Sequence, residues 1–359
     1  MRKIKVLVVD DSAVVRHGLL NALEDSQRIS VVGMAENGRV ALEQMDNLQP
    51  DIVLLDIEMP EMDGLETLKA LRKKYHRLPV LVLSSVTQRG AMVTIEALSR
   101  GATDYLPKPT TLSRGNDLGQ AQTDIVDKIV ALTARALQAE VGTAPTIAAP
   151  RPRLQAATHV IDLVAIGIST GGPRALTELF GDLPGDFPVP IVIVQHMPPV
   201  FTKQLAKSLD SRTHLCVREA HGGEVLQTGD VWIAPGNHHL TVATGETGKK
   251  QVLQVSQGNP VNSCRPSVDV LFDSVAAVYQ HRALGVVMTG MGQDGLEGSK
   301  RMRAHGANIV AQDEATSVVW GMAGYVATLG VATDVVPLDG MAPTLLRYAK
   351  VGRMARNET

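Results

Sequence analysis

The chain has 359 residues, 44% of them hydrophobic, with 35 Lys and Arg against 37 Asp and Glu and a formal net charge of -2. That length suits two domains of ordinary size, the apolar fraction can fill two cores, and the balanced charge excludes the uniform basic field of a nucleic-acid binder. No apolar run is long enough to span a bilayer, and the amino terminus enters a strand without a signal peptide. A soluble, cytoplasmic protein is expected. The two cysteines, Cys216 and Cys264, lie in no metal-type spacing, so each reads as a small core or surface residue.

From the amino terminus, short apolar runs alternate with amphipathic segments: residues 5–9, 31–34, 52–55, 80–83 and 103–106 read as strands, with helical patterns between them. Such alternation predicts a doubly wound parallel sheet, whose ligands bind beyond the carboxyl ends of its strands. Those ends carry chemistry. The first strand runs into Asp10 and Asp11, the third into Asp56, the fourth into Ser84 and Ser85, and the fifth is followed by Lys108 and Pro109. Carboxylates this close repel one another, which favours a hard divalent cation such as Mg²⁺ held through oxygen. One carboxylate can then accept a phosphoryl group, with Lys108 neutralising the transferred oxygens and a strand-end hydroxyl bonding to the product. Any one aspartate here reads as a solvated loop residue; the full set on one sheet edge does not.

The runs Val6-Leu7-Val8-Val9-Asp10-Asp11-Ser12, Leu54-Leu55-Asp56-Ile57-Glu58-Met59-Pro60, Met62-Asp63-Gly64 and Lys108-Pro109 resemble a response-regulator receiver domain in order and spacing. The resemblance implies that Asp56 is the phosphoacceptor, and that Asp11, Asp56 and the backbone carbonyl of Glu58 ligate Mg²⁺ with support from Asp10. It implies too that Ser84 and Tyr105 move on phosphorylation. Pro107, directly before Lys108, departs from the usual pattern and stiffens the loop that carries the lysine.

Beyond residue 117 the spacing of Leu118, Ile125, Ile129, Leu132 and Leu137 predicts a last helix to about residue 140. Residues 142–153 are small, Pro-rich and aperiodic, which predicts a semi-extended linker. After it the alternation resumes, with strands expected at 160–166, 189–194, 231–234, 283–289 and 308–311, hence a second parallel α/β sheet. The lysine-rich stretch 241–255, with Gly245 and Gly248, reads as a hairpin on an edge of that sheet, without a catalytic part.

The second sheet opens on Gly167-Ile168-Ser169-Thr170-Gly171-Gly172, which places a serine where a buried strand turns into a helix. Flanking glycines permit the tight turn, and the new helix can stabilise negative charge beside the hydroxyl, as in a nucleophile elbow. Alone, the loop reads equally well as a glycine-rich anion site or plain strand-to-helix punctuation. Company elsewhere favours the nucleophile. A serine needs a base and the base an orienting carboxylate. His196 ends its strand at the same sheet edge, with His238 and His239 as rivals. Asp294 is presented by the loop Thr289-Gly290-Met291-Gly292-Gln293-Asp294-Gly295, which can also aim a backbone N–H at an oxyanion; Asp313 and Asp334 are weaker candidates. The order Ser, His, Asp differs from that of the common α/β-hydrolases.

With Gln195-His196-Met197-Pro198, Arg265-Pro266-Ser267-Val268-Asp269 and Met288-Thr289-Gly290-Met291-Gly292-Gln293-Asp294-Gly295, the second half resembles the catalytic domain of the chemotaxis protein-glutamate methylesterases. The tandem with a receiver is itself that family's architecture. By this resemblance Ser169, His196 and Asp294 form a triad, Thr170 and the Met291 backbone border the oxyanion site, and Arg265 helps hold the substrate. The implied fold is two parallel-sheet α/β domains, flavodoxin-like and then Rossmann-like. The expected division is a receiver at 1–122, a helix extension and linker at 123–158, and a methylesterase domain at 159–352. The implied substrates are γ-glutamyl methyl esters, and glutamines to be deamidated, on cytoplasmic chemoreceptor helices. A chemotaxis histidine kinase is the implied phosphodonor. Mg²⁺ is expected to serve phosphorylation alone, with no cofactor for ester hydrolysis, and the chain is expected to act as a monomer that covers its own cleft until phosphorylated. Ala323 stands where the family usually has proline, which bears on a helix start and not on the triad. The rival readings are a non-catalytic output domain, an inactive scaffold, and a metal hydrolase built on His196, His238, His239 and Asp294.

Overall fold

Five short strands build the first sheet, and two of the inner ones, Ile52–Asp56 and Val80–Ser84, are buried along their whole length and end in a polar residue. In the computed structural model, which describes residues 2–108, 117–141, 159–246, 248 and 250–350, the chain divides into two compact units, Met1–Thr146 and Ile147–Thr359. The linker expected at 142–153, together with Pro109 and residues 351–352, lies outside the described residues. The first unit runs β1 (Ile4–Val9), α1 (Ala13–Glu24), β2 (Ile29–Ala35), α2 (Gly38–Leu48), β3 (Ile52–Asp56), α3 (Gly64–Lys74), β4 (Val80–Ser84), α4 (Gln88–Ser99), β5 (Asp104–Pro107) and α5 (Asp117–Val141). Its strands are all parallel, in the order β2-β1-β3-β4-β5. This is the flavodoxin-like winding, and its switch point opens a crevice beyond β1 and β3.

Local chemistry explains the punctuation. Asp63 and Glu66 form a reciprocal capping box that starts α3, a device worth about 1 kcal/mol. Pro107 falls in β5, which is an edge strand and so can dispense with a backbone N–H on its outer side. The spacing expected of the last helix is met by Ile125, Ile129 and Leu132, all buried along α5.

The second unit runs β6 (Leu163–Ile168), α6 (Gly172–Gly181), β7 (Ile191–Gln195), α7 (Pro199–Arg212), β8 (Cys216–Glu219), β9 (Asp230–Ile233), β10 (His239–Thr244), β11 (Gln251–Ser256), α8 (Val268–Tyr279), β12 (Ala283–Val287), α9 (Leu296–Ala304), β13 (Asn308–Gln312), α10 (Met322–Thr328), β14 (Asp334–Val336) and α11 (Leu338–Lys350). Seven parallel strands lie in the order β14-β13-β12-β6-β7-β9-β8. The chain winds outward from β6 through β7 to one edge, then crosses back to β12 on the other side, so the switch point falls between β6 and β12. Two edge strands, β8 and β14, had no sequence signal. The hairpin is real but its place differs: β10 and β11 pair antiparallel as a separate two-stranded sheet, tied to α8 by the Val242 N–H on Ser274 Oγ at 3.0 Å. Leu240, Val242 and Leu253 join the core there, which removes the hairpin from the edge of the main sheet. Among the described residues no helix is long and apolar enough to cross a membrane.

Candidate active site

In the first unit the switch-point crevice gathers the expected acidic residues. Asp10 and Asp56 are buried and Asp11 is exposed, and one oxygen from each lies within 4.8 Å of the others. Lys108 Nζ sits 2.8 Å from Asp10 Oδ2 and 2.7 Å from Asp56 Oδ2, spanning the two buried carboxylates. Burial raises the Asp56 pKa, Lys108 opposes that rise, and Asp10 adds to it. This all-oxygen, multiply acidic donor set fits a hard cation such as Mg²⁺, which would relieve the same repulsion. The Glu58 side chain turns to Arg89, with Oε1 3.3 Å from Nε.

The switch candidates are engaged elsewhere. Ser84 Oγ accepts from Thr94 Oγ1 at 2.5 Å and donates toward the Gly90 carbonyl at 3.3 Å, so it faces α4. Tyr105 is buried. Lys108 N–H donates to the Ser84 carbonyl at 2.6 Å, coupling the two strand ends that flank the crevice.

In the second unit, strand register brings Ser169 and His196 together. Ile168 pairs with Gln195, so the next residue on each strand lies side by side at the carboxyl edge, and the His196 N–H donates to the Ile168 carbonyl at 3.2 Å. Gly171, at φ 78°, makes the turn into α6. Gly290 lets the loop after β12 press on the serine: a Cβ at that position would lie 2.8 Å from Ser169 Cβ and 2.4 Å from Met322 Sδ. The buried Gln195 Nε2 donates to the Ser169 carbonyl at 2.9 Å and fixes the elbow further.

Asp294 is held in a cage of donors. Its Oδ1 accepts from Asn262 Nδ2 at 3.0 Å, Ser267 Oγ at 2.8 Å and the Asp269 N–H at 3.1 Å. Its Oδ2 accepts from the Val268 N–H at 2.6 Å and lies 2.8 Å from His196 Nε2. The carboxylate therefore sits on the amino terminus of α8, where orphan N–H groups favour an anion. Burial works against its charge, but His196 and these donors win and lower the Asp294 pKa to about 2. Asp269 returns the arrangement by accepting from the Gly295 and Gly298 N–H groups at 3.0 and 2.7 Å, at the start of α9.

Because Nε2 of His196 donates to a carboxylate, the neutral ring presents Nδ1 as its free base nitrogen. That nitrogen faces Cys264 Sγ at 3.7 Å, and Ser169 Oγ makes no hydrogen bond within the described residues. The structure thus joins His196 to Asp294 directly and places Ser169 beside them by register alone. The rivals are committed elsewhere. His239 Nδ1 accepts from the Ser267 N–H at 3.2 Å while Nε2 meets the Asn259 carbonyl at 2.9 Å, and His238 Nδ1 meets the Gly236 carbonyl at 3.1 Å. Among the described residues neither belongs to a cluster able to hold a metal, which takes His238 and His239 out of the ligand set expected of a metal hydrolase.

No hydrogen bond within the described residues uses the N–H of Thr170 or of Met291, so both are available to an oxyanion. Arg265 reaches Asn237 Oδ1 through Nε at 3.0 Å and Nη2 at 2.6 Å, and the Gly258 carbonyl through Nη1 at 3.1 Å. Its guanidinium therefore also ties two loops together. Ala323 lies buried in the first turn of α10, where alanine and proline are both tolerated. Asn262, Cys264, Ser267 and Asp269 were missed as contacts of the site; Ser267 before an apolar helical run is a cap signal that could have pointed to the α8 amino terminus.

The pH dependence follows from the groups facing His196. Burial disfavours its charge, but Asp294 and then the Cys264 sulfur favour the cation, and the His196 pKa is raised to about 9. A base must be neutral, so kcat/KM is expected to climb with pH toward about 9 and to flatten above it. A pH–rate profile on a soluble ester checks this; a plateau already reached at neutral pH would contradict it.

An acidic crevice at the switch point of one unit and a serine elbow with a His–Asp pair in the other fit one class: a response regulator whose output is a serine hydrolase. Residues 6–117 match the response regulator receiver domain, and residues 164–345 match the CheB methylesterase domain. The chain belongs to the CheB methylesterase family. It is 45% identical to a protein-glutamate methylesterase/protein-glutamine glutaminase of Trichodesmium erythraeum, with 97% of this chain and 99% of the relative covered. It is 44% identical to such an enzyme, numbered 2, of Caulobacter vibrioides, with 96% and 99% covered. The crystal structure of the Thermotoga maritima CheB methylesterase catalytic domain aligns at a TM-score of 0.50 and 41% identity, covering 52% of this chain and 98% of that one.

Proposed function

We propose that the chain is a phosphorylation-regulated protein-glutamate methylesterase and protein-glutamine glutaminase of chemotaxis, with Ser169, His196 and Asp294 as its triad. The observation that carries this reading is the 2.8 Å bond from His196 Nε2 to a caged Asp294, one strand register from the elbow serine. Ser169 Oγ passes its proton to His196 Nδ1 as it bonds to the γ-carbonyl carbon of a receptor glutamyl ester. The carbonyl oxygen becomes an oxyanion beside the N–H groups of Thr170 and Met291. Collapse breaks the carbon–methoxy bond, and His196 returns the proton to leaving methanol. Water then repeats the sequence on the acyl-serine, giving the glutamate carboxylate and free Ser169. A glutamine follows the same path with ammonia as the leaving group. Asp294 stays ionised throughout, orienting the imidazole and stabilising its cation.

The receiver takes its phosphoryl group on Asp56 from a chemotaxis histidine kinase. Asp11, Asp56 and the Glu58 carbonyl would hold Mg²⁺, with Asp10 in support, and that cation would neutralise the oxygens of the group being transferred. Ester hydrolysis uses no metal. The setting is the cytoplasm, the acting species a monomer, and the substrate a side chain on a long receptor helix. Domain bounds of 1–122, 123–158 and 159–352 serve this division of labour.

Incubation with methylated and amidated receptor fragments, followed by mass analysis, tests the reading; unchanged fragments would refute it. Arg265→Ala is expected to cut turnover of the receptor fragment about tenfold more than that of a small ester, because contacts beyond the reacting carbonyl are lost. Equal losses on both would mean that Arg265 acts only through Asn237 and Gly258.

A further inference from the structure

A tight turn delivers two side chains to the His–Asp pair. Val261 and Cys264 exchange backbone hydrogen bonds, with N···O distances of 3.1 and 2.9 Å, and the two residues between them, Asn262 and Ser263, have φ of 51° and 60°. Neither is glycine, so the surrounding contacts hold a backbone form that L-residues adopt reluctantly. Asn262 serves Asp294, as described above. Cys264 places its sulfur 3.7 Å from His196 Nδ1, the nitrogen that must also receive the serine proton. Thiol and serine hydroxyl therefore compete for one lone pair.

The same residues, His196, Cys264 and Asp294, offer metal-ligating atoms within 4.8 Å, but both oxygens of Asp294 are already committed to the α8 amino terminus, Asn262, Ser267 and His196. A metal would have to break that cage. The pair that remains, a half-buried thiol against a base, matches reactive-cysteine chemistry.

We propose that Cys264 is a peroxide-sensitive modification site whose oxidation stops the hydrolase by blocking His196 Nδ1, an inference that rests on the triad reading above. His196 Nδ1 takes the thiol proton, and the sulfur attacks one oxygen of hydrogen peroxide. The O–O bond breaks and the departing hydroxide takes the proton to leave as water. Sulfur is oxidised by two electrons to a sulfenic acid and peroxide is reduced to water, so the step balances. The added oxygen then lies between the base and the place where the Ser169 hydroxyl must approach.

Cys216, exposed on β8, is the internal control, since it has greater access but no contact with the site. Full-length protein, Cys216→Ser, Cys264→Ser, Cys264→Ala and His196→Ala are each treated with dilute hydrogen peroxide and compared with their own untreated samples. The readouts are ester hydrolysis and mass analysis of the Cys264 peptide. The full-length protein and Cys216→Ser should lose activity by at least about a hundredfold, because the added oxygen obstructs the base without removing it. Dithiothreitol should restore it, which a methionine sulfoxide at Met291 would not allow. Both Cys264 variants should keep their own untreated rates, and His196→Ala should slow oxygen addition at Cys264. Equal inactivation of Cys264→Ala, or an oxidised Cys264 with an unchanged rate, would overturn the proposal. An untreated protein that hydrolyses no ester would instead sink the triad reading; Cys264 taking up oxygen no faster than Cys216 would then overturn the site as well.

Discussion

Ser169→Ala should lower kcat on methylated receptor fragments by on the order of a millionfold while leaving the melting temperature unchanged. The stability half follows from the bonding: the hydroxyl is half-buried and makes no hydrogen bond within the described residues, so its removal strands no partner. His196→Gln should be equally severe in activity, because the base placed beside the serine is lost. Asp294→Asn should separate the two readouts. Its kcat should fall by about ten-thousandfold, since an amide no longer fixes the tautomer or stabilises the cation. Its folded state should also lose about 1–3 kcal/mol, because the new NH₂ must confront donors that now point at a carboxylate oxygen. Denaturation together with kcat for the three variants checks this. A well-folded Ser169→Ala with full activity would remove the nucleophile, and an indispensable His238 or His239 would remove His196 as the base.

Much of this site was legible because parallel sheets write their chemistry at strand ends. The runs before Asp56, Ser169 and the Gln195-His196 pair are continuous and apolar because both faces of those strands are covered, so the polar residues that end each run mark the edge where ligands bind. Asp294 was legible through the glycines around it. Which strands lie side by side was not written locally: only the crossing back to β12 beside β6 puts the Asp294 loop next to the Ser169 elbow. Hidden for a different reason were Asn262 and Cys264. They arrive on a turn whose left-handed residues are asparagine and serine, so no glycine announced it. Reading Cys264 as a small non-ligand residue followed from spacing alone, and spacing could not show that its sulfur lies 3.7 Å from His196 Nδ1. The short strands β8 and β14 escaped because edge strands mix polar residues into runs of three or four.

Phosphorylation of Asp56 should raise receptor ester hydrolysis by about ten- to a hundredfold, the usual scale of coupling between two sites. Lys108 bridges Asp10 and Asp56 in the resting crevice, and Ser84 is turned toward Thr94 and α4. A phosphoryl group on Asp56 brings oxygens that Lys108 and the Ser84 hydroxyl can bind, so Ser84 must leave Thr94 to do so. Tyr105 lies on the neighbouring strand, paired with Val82 of β4, and is expected to repack as Ser84 moves. Charge alone would shift nothing; the phosphoryl group must bind one arrangement better than the other, and the Ser84 exchange supplies that difference. The test compares the whole chain, the whole chain with a small phosphodonor and Mg²⁺, and a fragment beginning at His159, all on methylated receptor. The phosphorylated chain and the fragment should both outpace the resting chain. Asp56→Asn should abolish the response to phosphodonor and leave the resting rate in place, because the substitution lies in the receiver and not among the hydrolytic residues. Thr94→Ala, which frees Ser84 from its partner on α4, should raise the fraction of chain that responds at low phosphodonor. A fragment no faster than the resting chain would rule out restraint by the receiver and leave positive activation as the only route from Asp56 to Ser169.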